Sequence, residues 1–489
     1  MKTNMRKTLA LLLLISMLTS VVSCAGGQTE ETTSADDTTA AVETETETED
    51  PRNVQDEVPE LDFGGAAFRS IVQESTIYDI YMEEETGDGL KDAVFYRNLA
   101  IEDRFNVVIE EALALLYNEL SPRVKKSIQA GDDEFDLVLG QMEQSGKDAQ
   151  EGIFRNWYDI PYVDFEKPWW PKSIARDAAT VNGKMYNTVS DLCVSYAEQT
   201  WSIVFDKVEA ANYGVDGIYD MVRNGEWTVD RLLSITEGIY TDTNGDGQRD
   251  EDDYYGYVSG MNGCLLLSYF YGFDQRLAVV EDQTVQMVLN TEKAAAICDK
   301  LYALHYQSAG TMVPKNGTSN LDLYTPFVEG NTLFCPIQLQ YIYSQLRDYE
   351  NDYGVIPTPK WDEEQTEYYS TCDAGANIMA IPVTATNDEM IGAVVEALSA
   401  YSWRTVLPAY YEIALSAKSA RDEESVEMID LVLASRVIDF AYLYDGWTGW
   451  VFKLADFVKT EGAFASTYTK YEKSMQTYYD KVLDFFYEE

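Results

Sequence analysis

"AAFRSIVQ" (66–73) reads as a strand, and "GLKDAVFYRNLAIEDRF" (89–105) as an amphipathic helix with Leu90, Val94, Leu99 and Ile101 on or near its apolar face. "NVVIEEA" (106–112) is a second strand, "LSPRVKKSIQAG" (120–131) a second helix and "FDLVLG" (135–140) a short buried strand. Strand–helix–strand alternation puts parallel strands in one sheet with helices on its faces, so the chain opens as an α/β fold. The pattern loosens at "WYDIPYVDFEKPWWP" (157–171), whose prolines and aromatics suit a loop-rich surface. Strand character resumes at "NGKMYNTVSD" (182–191) and "TWSIVFD" (200–206), and again at "YGVIPTPK" (353–360) and "NIMAIPV" (377–383). From about residue 404 the sequence is helix-rich and aromatic. No period of 20 to 50 residues recurs, which argues against a solenoid.

The 489 residues are ample for two domains or lobes. With 36 basic and 84 acidic residues the formal net charge is −48, a field that repels phosphate backbones and speaks against nucleic-acid binding. There is one histidine, His305, so a His-based triad or a multi-His zinc site is excluded in practice. At the N-terminus Lys2, Arg6 and Lys7 precede the apolar run "LALLLLISML", and "VVSC" closes it at Cys24. This reads as a secretory signal over 1–23, too short to span a bilayer, and its end resembles a bacterial lipobox with Cys24 as the lipid-carrying first residue of the mature chain. Residues 24–59 are Thr- and Glu-rich and almost free of large apolar side chains, the composition of a disordered spacer. The remaining cysteines, at 193, 264, 298, 335 and 372, form no CxxC pair and read as buried free thiols.

"DTNGDGQRDEDD" (242–253) matches the twelve-residue calcium loop. Asp242, Asn244, Asp246, the Gln248 carbonyl, Asp250 and Asp253 fall at positions 1, 3, 5, 7, 9 and 12, with Gly247 at the turn. The last position departs from the pattern, because Asp253 is shorter than the usual glutamate. The expectation is a structural Ca2+; the alternative is an Asp/Asn-Gly turn without metal.

The order of "DAVFYRN", "RFNV", "NGKMYNTVSD", "TWSIVFDKV", "GEWTVDRLLSIT", "DTNGDGQRDEDDYYGY", "FVEGNTLF", "YGVIPTPK", "IPVTATN" and "LPAYYEIALSAKSARDEESVEMIDLV" resembles the extracellular solute-binding lipoproteins of ABC importers. The class is the maltodextrin- and sugar-binding one (family 1) of anaerobic Gram-positive bacteria. The resemblance implies a two-lobed periplasmic-binding-protein-like fold, a hinge crossed more than once, a ligand between the lobes and a helix-rich C-terminus. By analogy lobe 1 takes 60–190 with a return segment at 325–378. Lobe 2 takes 191–324, including the calcium loop, and the C-terminal helices 379–489.

The same resemblance places the cleft where the chain crosses between lobes. There it offers Tyr196, Glu198 and Trp201, with Trp169 and Trp170 in the loop before. Gln338, Gln340, Asp373 and Asn377 come from the returning segments, and Asp445, Trp447 and Trp450 from "YDGWTGW". Indole faces stack on sugar rings while amides and carboxylates take hydroxyls, the mixture that ligand pockets use. The expected role is a non-enzymatic receptor for a small oligosaccharide, lipid-anchored outside the cell membrane. It would work as a monomer and pass its solute to ABC permease subunits. A surface carbohydrate adhesin is the alternative. A secreted glycoside hydrolase is a weaker one, since with 84 acids carboxylate pairs carry no information, and no G-x-S-x-G, HExxH or P-loop occurs.

Overall fold

The computed structural model describes residues 52–175, 177–314, 320–416, 423–444 and 450–488, and residues 51–489 cluster as one compact unit. Cys24, the signal segment and the spacer as far as residue 51 lie outside the described residues.

The opening alternation builds the first sheet. Its strands run in the order Asn377–Ala380, Leu137–Gln141, Ser70–Gln73, Leu113–Leu115. Ser70–Gln73 is parallel to both Leu137–Gln141 and Leu113–Leu115, and Asn377–Ala380 closes one edge antiparallel. The helix Gly89–Phe105 starts where the Asp88 carboxylate accepts the Leu90 and Lys91 N–H groups, and stops at Asn106, which adopts the left-handed conformation with φ 49°. Its buried stripe is Leu90, Val94, Ile101 and Phe105, but Arg97 and Asn98 are buried with it, while Leu99 is 38% exposed. Leu99, expected on or near the apolar face, falls on the opposite side of the helix at 3.6 residues per turn and faces outward, while the buried face also meets polar acceptors. Arg97 donates to Ser402 Oγ at 2.9 Å and to Ile80 O at 3.3 Å.

The second sheet runs Thr311–Met312, Tyr254–Val258, Thr332–Gln338, Trp201–Asp206, Tyr353–Ile356, with Tyr240–Thr241 added on Tyr254–Val258. Thr332–Gln338 is parallel to Tyr254–Val258 and antiparallel to Trp201–Asp206. This corrects the expected return segment. Most of 325–378 stays in the second lobe, supplying two strands to its sheet, and the chain re-enters the first sheet only at Asn377–Ala380. The C-terminal helices also divide between the lobes. Asp388–Tyr401 and Leu407–Ser416 pack on Gly89–Phe105 of the first lobe, whereas Glu423–Ala434 packs on Tyr353–Ile356 of the second. Helix amphipathicity reports that one face is covered, not by which lobe.

The spacer is shorter than its composition suggests. Arg104 grips Asp56 with both terminal nitrogens, at 2.7 and 2.8 Å, and also donates to Val58 O, while Val58 itself is buried. A bidentate ion pair and one apolar anchor suffice to order residues that composition alone assigns to a tail. The cysteines at 193, 264, 298, 335 and 372 are all buried and free.

Candidate functional site

Three chain crossings join the lobes and lie side by side. Thr200 bridges Cys372 antiparallel, and Ser370 bridges Arg436 in parallel. Trp201 N donates to Thr371 O and Asp373 N to Gln199 O, both at 2.9 Å, and Val437 N donates to Ser370 O at 2.8 Å. So short a ladder ties the crossings together while leaving few backbone bonds to resist bending, the construction expected of a hinge.

Polar side chains from all parts of the fold collect at these crossings. Gln338, ending the strand Thr332–Gln338, donates to Asp373 Oδ2 at 2.9 Å, and Gln340 donates to Gln338 Oε1 at 2.5 Å. Glu198, at the end of the short helix Val194–Glu198, accepts the hydroxyls of Tyr78 and Tyr343, the latter at 2.5 Å. Burial lifts the Glu198 carboxyl to about 7 against the pull of these two donors. Glu198, Gln338, Gln340 and Asp373, named from sequence, are therefore at the junction of the lobes. Tyr78 and Tyr343 were missed, because nothing near either in the chain marks it as a partner of Glu198.

Other residues expected in the cleft belong to the core. Trp169 and Trp170 are 0% and 1% exposed, and their indole N–H groups donate to opposite oxygens of Glu396, at 3.0 and 2.9 Å. Their faces are packed and cannot serve as platforms. Trp201 is likewise buried, inside a strand flanked on both sides. Tyr196 is buried beneath the Arg436 guanidinium, 4.3 Å from its ring centre. Asn377 is wholly buried, accepting from Gln73 and donating to Thr76 Oγ1 and Asp79 Oδ2. In each case the apolar bulk or amide that suits a sugar suits a protein interior equally well. Asp445 and Trp447 lie outside the described residues, as does the side chain of Trp450, whose backbone begins the helix Trp450–Val458.

The acidic loop is folded on its own amides. Asp242 accepts from Gly245 N at 2.7 Å and Gly247 N at 3.0 Å, Asn244 from Asp246 N, and Asp246 from Gln248 N. Gly247 takes φ +73°, a conformation that costs glycine nothing. Asp253 is buried and accepts from Tyr240 Oη at 2.9 Å and from the Thr243 and Asp250 amides. Among the described residues no three His, Cys, Asp or Glu side chains converge as metal ligands.

No family model matches the sequence, and no curated protein matches it. Solved structures do. The ABC substrate-binding protein Lmo0181 from Listeria monocytogenes in complex with cycloalternan superposes with TM-score 0.54 at 12% identity, over 84% of this chain and 99% of that one. A cyclo/maltodextrin-binding protein complexed with maltotetraose gives 0.56 at 13%, over 84% and 98%. The fold is that of a two-lobed solute-binding protein. UgpB from Mycobacterium tuberculosis, in complex with glycerophosphocholine, superposes equally well, with TM-score 0.54 at 14% identity over 86% of this chain and 99% of that one. The shared architecture thus hosts chemically different ligands, and the solute must be argued from side chains.

Proposed function

We propose that this chain captures a small polyhydroxyl solute, an oligosaccharide, between its lobes and delivers it to the permease subunits of an ABC importer. It does so as a monomer without turning the solute over, held outside the cell membrane by lipid on Cys24. The observation that carries the reading is the polar group Gln340–Gln338–Asp373 at the crossings of a solute-binding fold. The half-buried Gln340 amide and Asp373 carboxylate, steadied by the buried Gln338 between them, carry the kinds of donor and acceptor that vicinal hydroxyls require. Neighbours in fold hold cycloalternan and maltotetraose, and one holds glycerophosphocholine, so the choice of a carbohydrate rests on these side chains.

Calorimetry against a panel of neutral oligosaccharides should find a ligand. Gln340→Ala and Asp373→Ala should each weaken it by about 1 kcal/mol or more, roughly fivefold. Unchanged affinity in both variants would place the site elsewhere, and sustained hydrolysis of any panel member would overturn the receptor reading.

The loop 242–253 is proposed to bind one Ca2+ through Asp242, Asn244, Asp246, the Gln248 carbonyl, Asp250 and Asp253. The support is their spacing, together with backbone hydrogen bonds that already hold the turn at Gly247. Binding to the folded state alone would add about 2.7 kcal/mol at a hundredfold excess over Kd. Chelator should lower the melting temperature of the parent and leave Asp246→Ala unaffected. Identical melts with and without chelator would remove the metal from the account.

A further inference from the structure

Glu198 is 1% exposed, yet its two carboxylate oxygens serve opposite lobes. Oε2 accepts the hydroxyl of Tyr78, from the turn Glu74–Asp79 that follows the first-sheet strand Ser70–Gln73. Oε1 accepts the hydroxyl of Tyr343 at 2.5 Å, from the helix Leu339–Gln345 that follows the second-sheet strand Thr332–Gln338. Tyr343 also meets Tyr410 edge to face, with ring centres 6.0 Å apart at 79°. Tyr410 is fully buried on the helix Leu407–Ser416, which rests on Gly89–Phe105 of the first lobe.

The two halves of this arrangement are not equivalent. Asp79, next to Tyr78, accepts from Ser195 N at 2.9 Å and Ser195 Oγ at 2.5 Å, so the Tyr78 turn is fastened to the helix that carries Glu198. The Tyr343 helix is tied to the same crossing two residues on, where Leu339 N donates to Thr200 O at 3.0 Å, by a backbone bond on the second-sheet side and not by a buried carboxylate. When the lobes part by bending at Gln199–Thr200, where the first two crossings bridge, the Tyr78 bond travels with Glu198 and the Tyr343 bond breaks.

We propose that the Tyr343–Glu198 hydrogen bond is a latch that holds the lobes together before any solute arrives. The proposal rests on the two-lobed reading of the fold and is independent of which solute is bound. Opening exchanges this donor for water, and a hydrogen bond to a charged group keeps a net advantage over that exchange, so the latched state is favoured as long as the phenol is present. A ligand then shifts the equilibrium only by its differential affinity for the latched and open states.

The test uses the full chain without ligand. Spin labels are placed on Gln129→Cys and Ala296→Cys, exposed positions on helices of the first and second lobe, in a Cys24→Ser background where the other cysteines are buried. Tyr343→Phe, which keeps the ring, should produce a longer-distance population by double electron–electron resonance, the open-to-closed ratio rising roughly tenfold. Tyr78→Phe should leave the distance distribution of the parent unchanged. If Tyr343→Phe gives the parent distribution, there is no latch, even if its unfolding free energy falls. If both phenylalanine variants open equally, the asymmetry assigned to the Asp79–Ser195 fastening is wrong and the latch as proposed is overturned. Because no solute enters the experiment, its failure leaves the oligosaccharide reading standing, and failure of the calorimetry leaves this result standing.

Discussion

Replacing Asp79 with Leu is expected to lower the unfolding free energy by about 4 kcal/mol, the cost of breaking a buried charged network by removing one partner. Asp79 is 0% exposed. It accepts Ser195 N at 2.9 Å, Ser195 Oγ at 2.5 Å and Asn377 Nδ2 at 2.8 Å. Burial raises its carboxyl to about 6, opposed by Ser195, Asn377 and the charge of Arg97. Arg97, itself 0% exposed, is the cation that Asp79 offsets. Leucine would take the acceptor from Ser195 N, Ser195 Oγ and one of the two N–H groups of Asn377, the other keeping Thr76 Oγ1, and would leave a guanidinium in the interior without its counter-charge. The same carboxylate joins the Glu74–Asp79 turn, the first crossing and the strand Asn377–Ala380, so the damage reaches the hinge as well as the core. Urea denaturation of parent and variant measures the loss. A change below about 1 kcal/mol would mean that these donors find other acceptors at little cost.

Glu396→Leu is expected to cost about 3 kcal/mol. Glu396 lies wholly buried on the helix Asp388–Tyr401 and takes the indole N–H of Trp169 on one oxygen and that of Trp170 on the other, with Asp164 N at 3.3 Å beside it. Removing the carboxylate relieves the burial that lifts its pKa to about 8, but leaves two indole donors facing leucine. Each unsatisfied buried donor costs about 1–3 kcal/mol. Near-ultraviolet circular dichroism and urea denaturation together check the result. Unchanged stability with unchanged tryptophan bands would show that the indoles do not depend on Glu396.

These two networks show where reading the chain succeeds and fails. The strand–helix–strand opening was legible because periodicity is local: Ser70–Gln73, Gly89–Phe105 and Leu137–Gln141 each carry their pattern within a few turns or pleats. Glu198, Gln338, Gln340 and Asp373 could be named because they flank the crossings that the family resemblance marks. Trp169, Trp170 and Trp201 could not be sorted into core or cleft, since a tryptophan's composition is the same in both. Glu396, which settles two of them, is more than 220 residues away in the chain.

By itself the sequence determined the α/β class, the acidic character, the presence of a single histidine and the spacing of the 242–253 loop. All of these are properties of short windows or of the whole composition. Only the tertiary structure decided which lobe each later segment joins, that residues from Val54 onward are pinned, and that Glu198 is held by tyrosines 120 and 145 residues away. The physical reason is that a buried polar group must be satisfied by whatever donor the fold brings within about 3 Å, and that donor's position in the chain leaves no local trace.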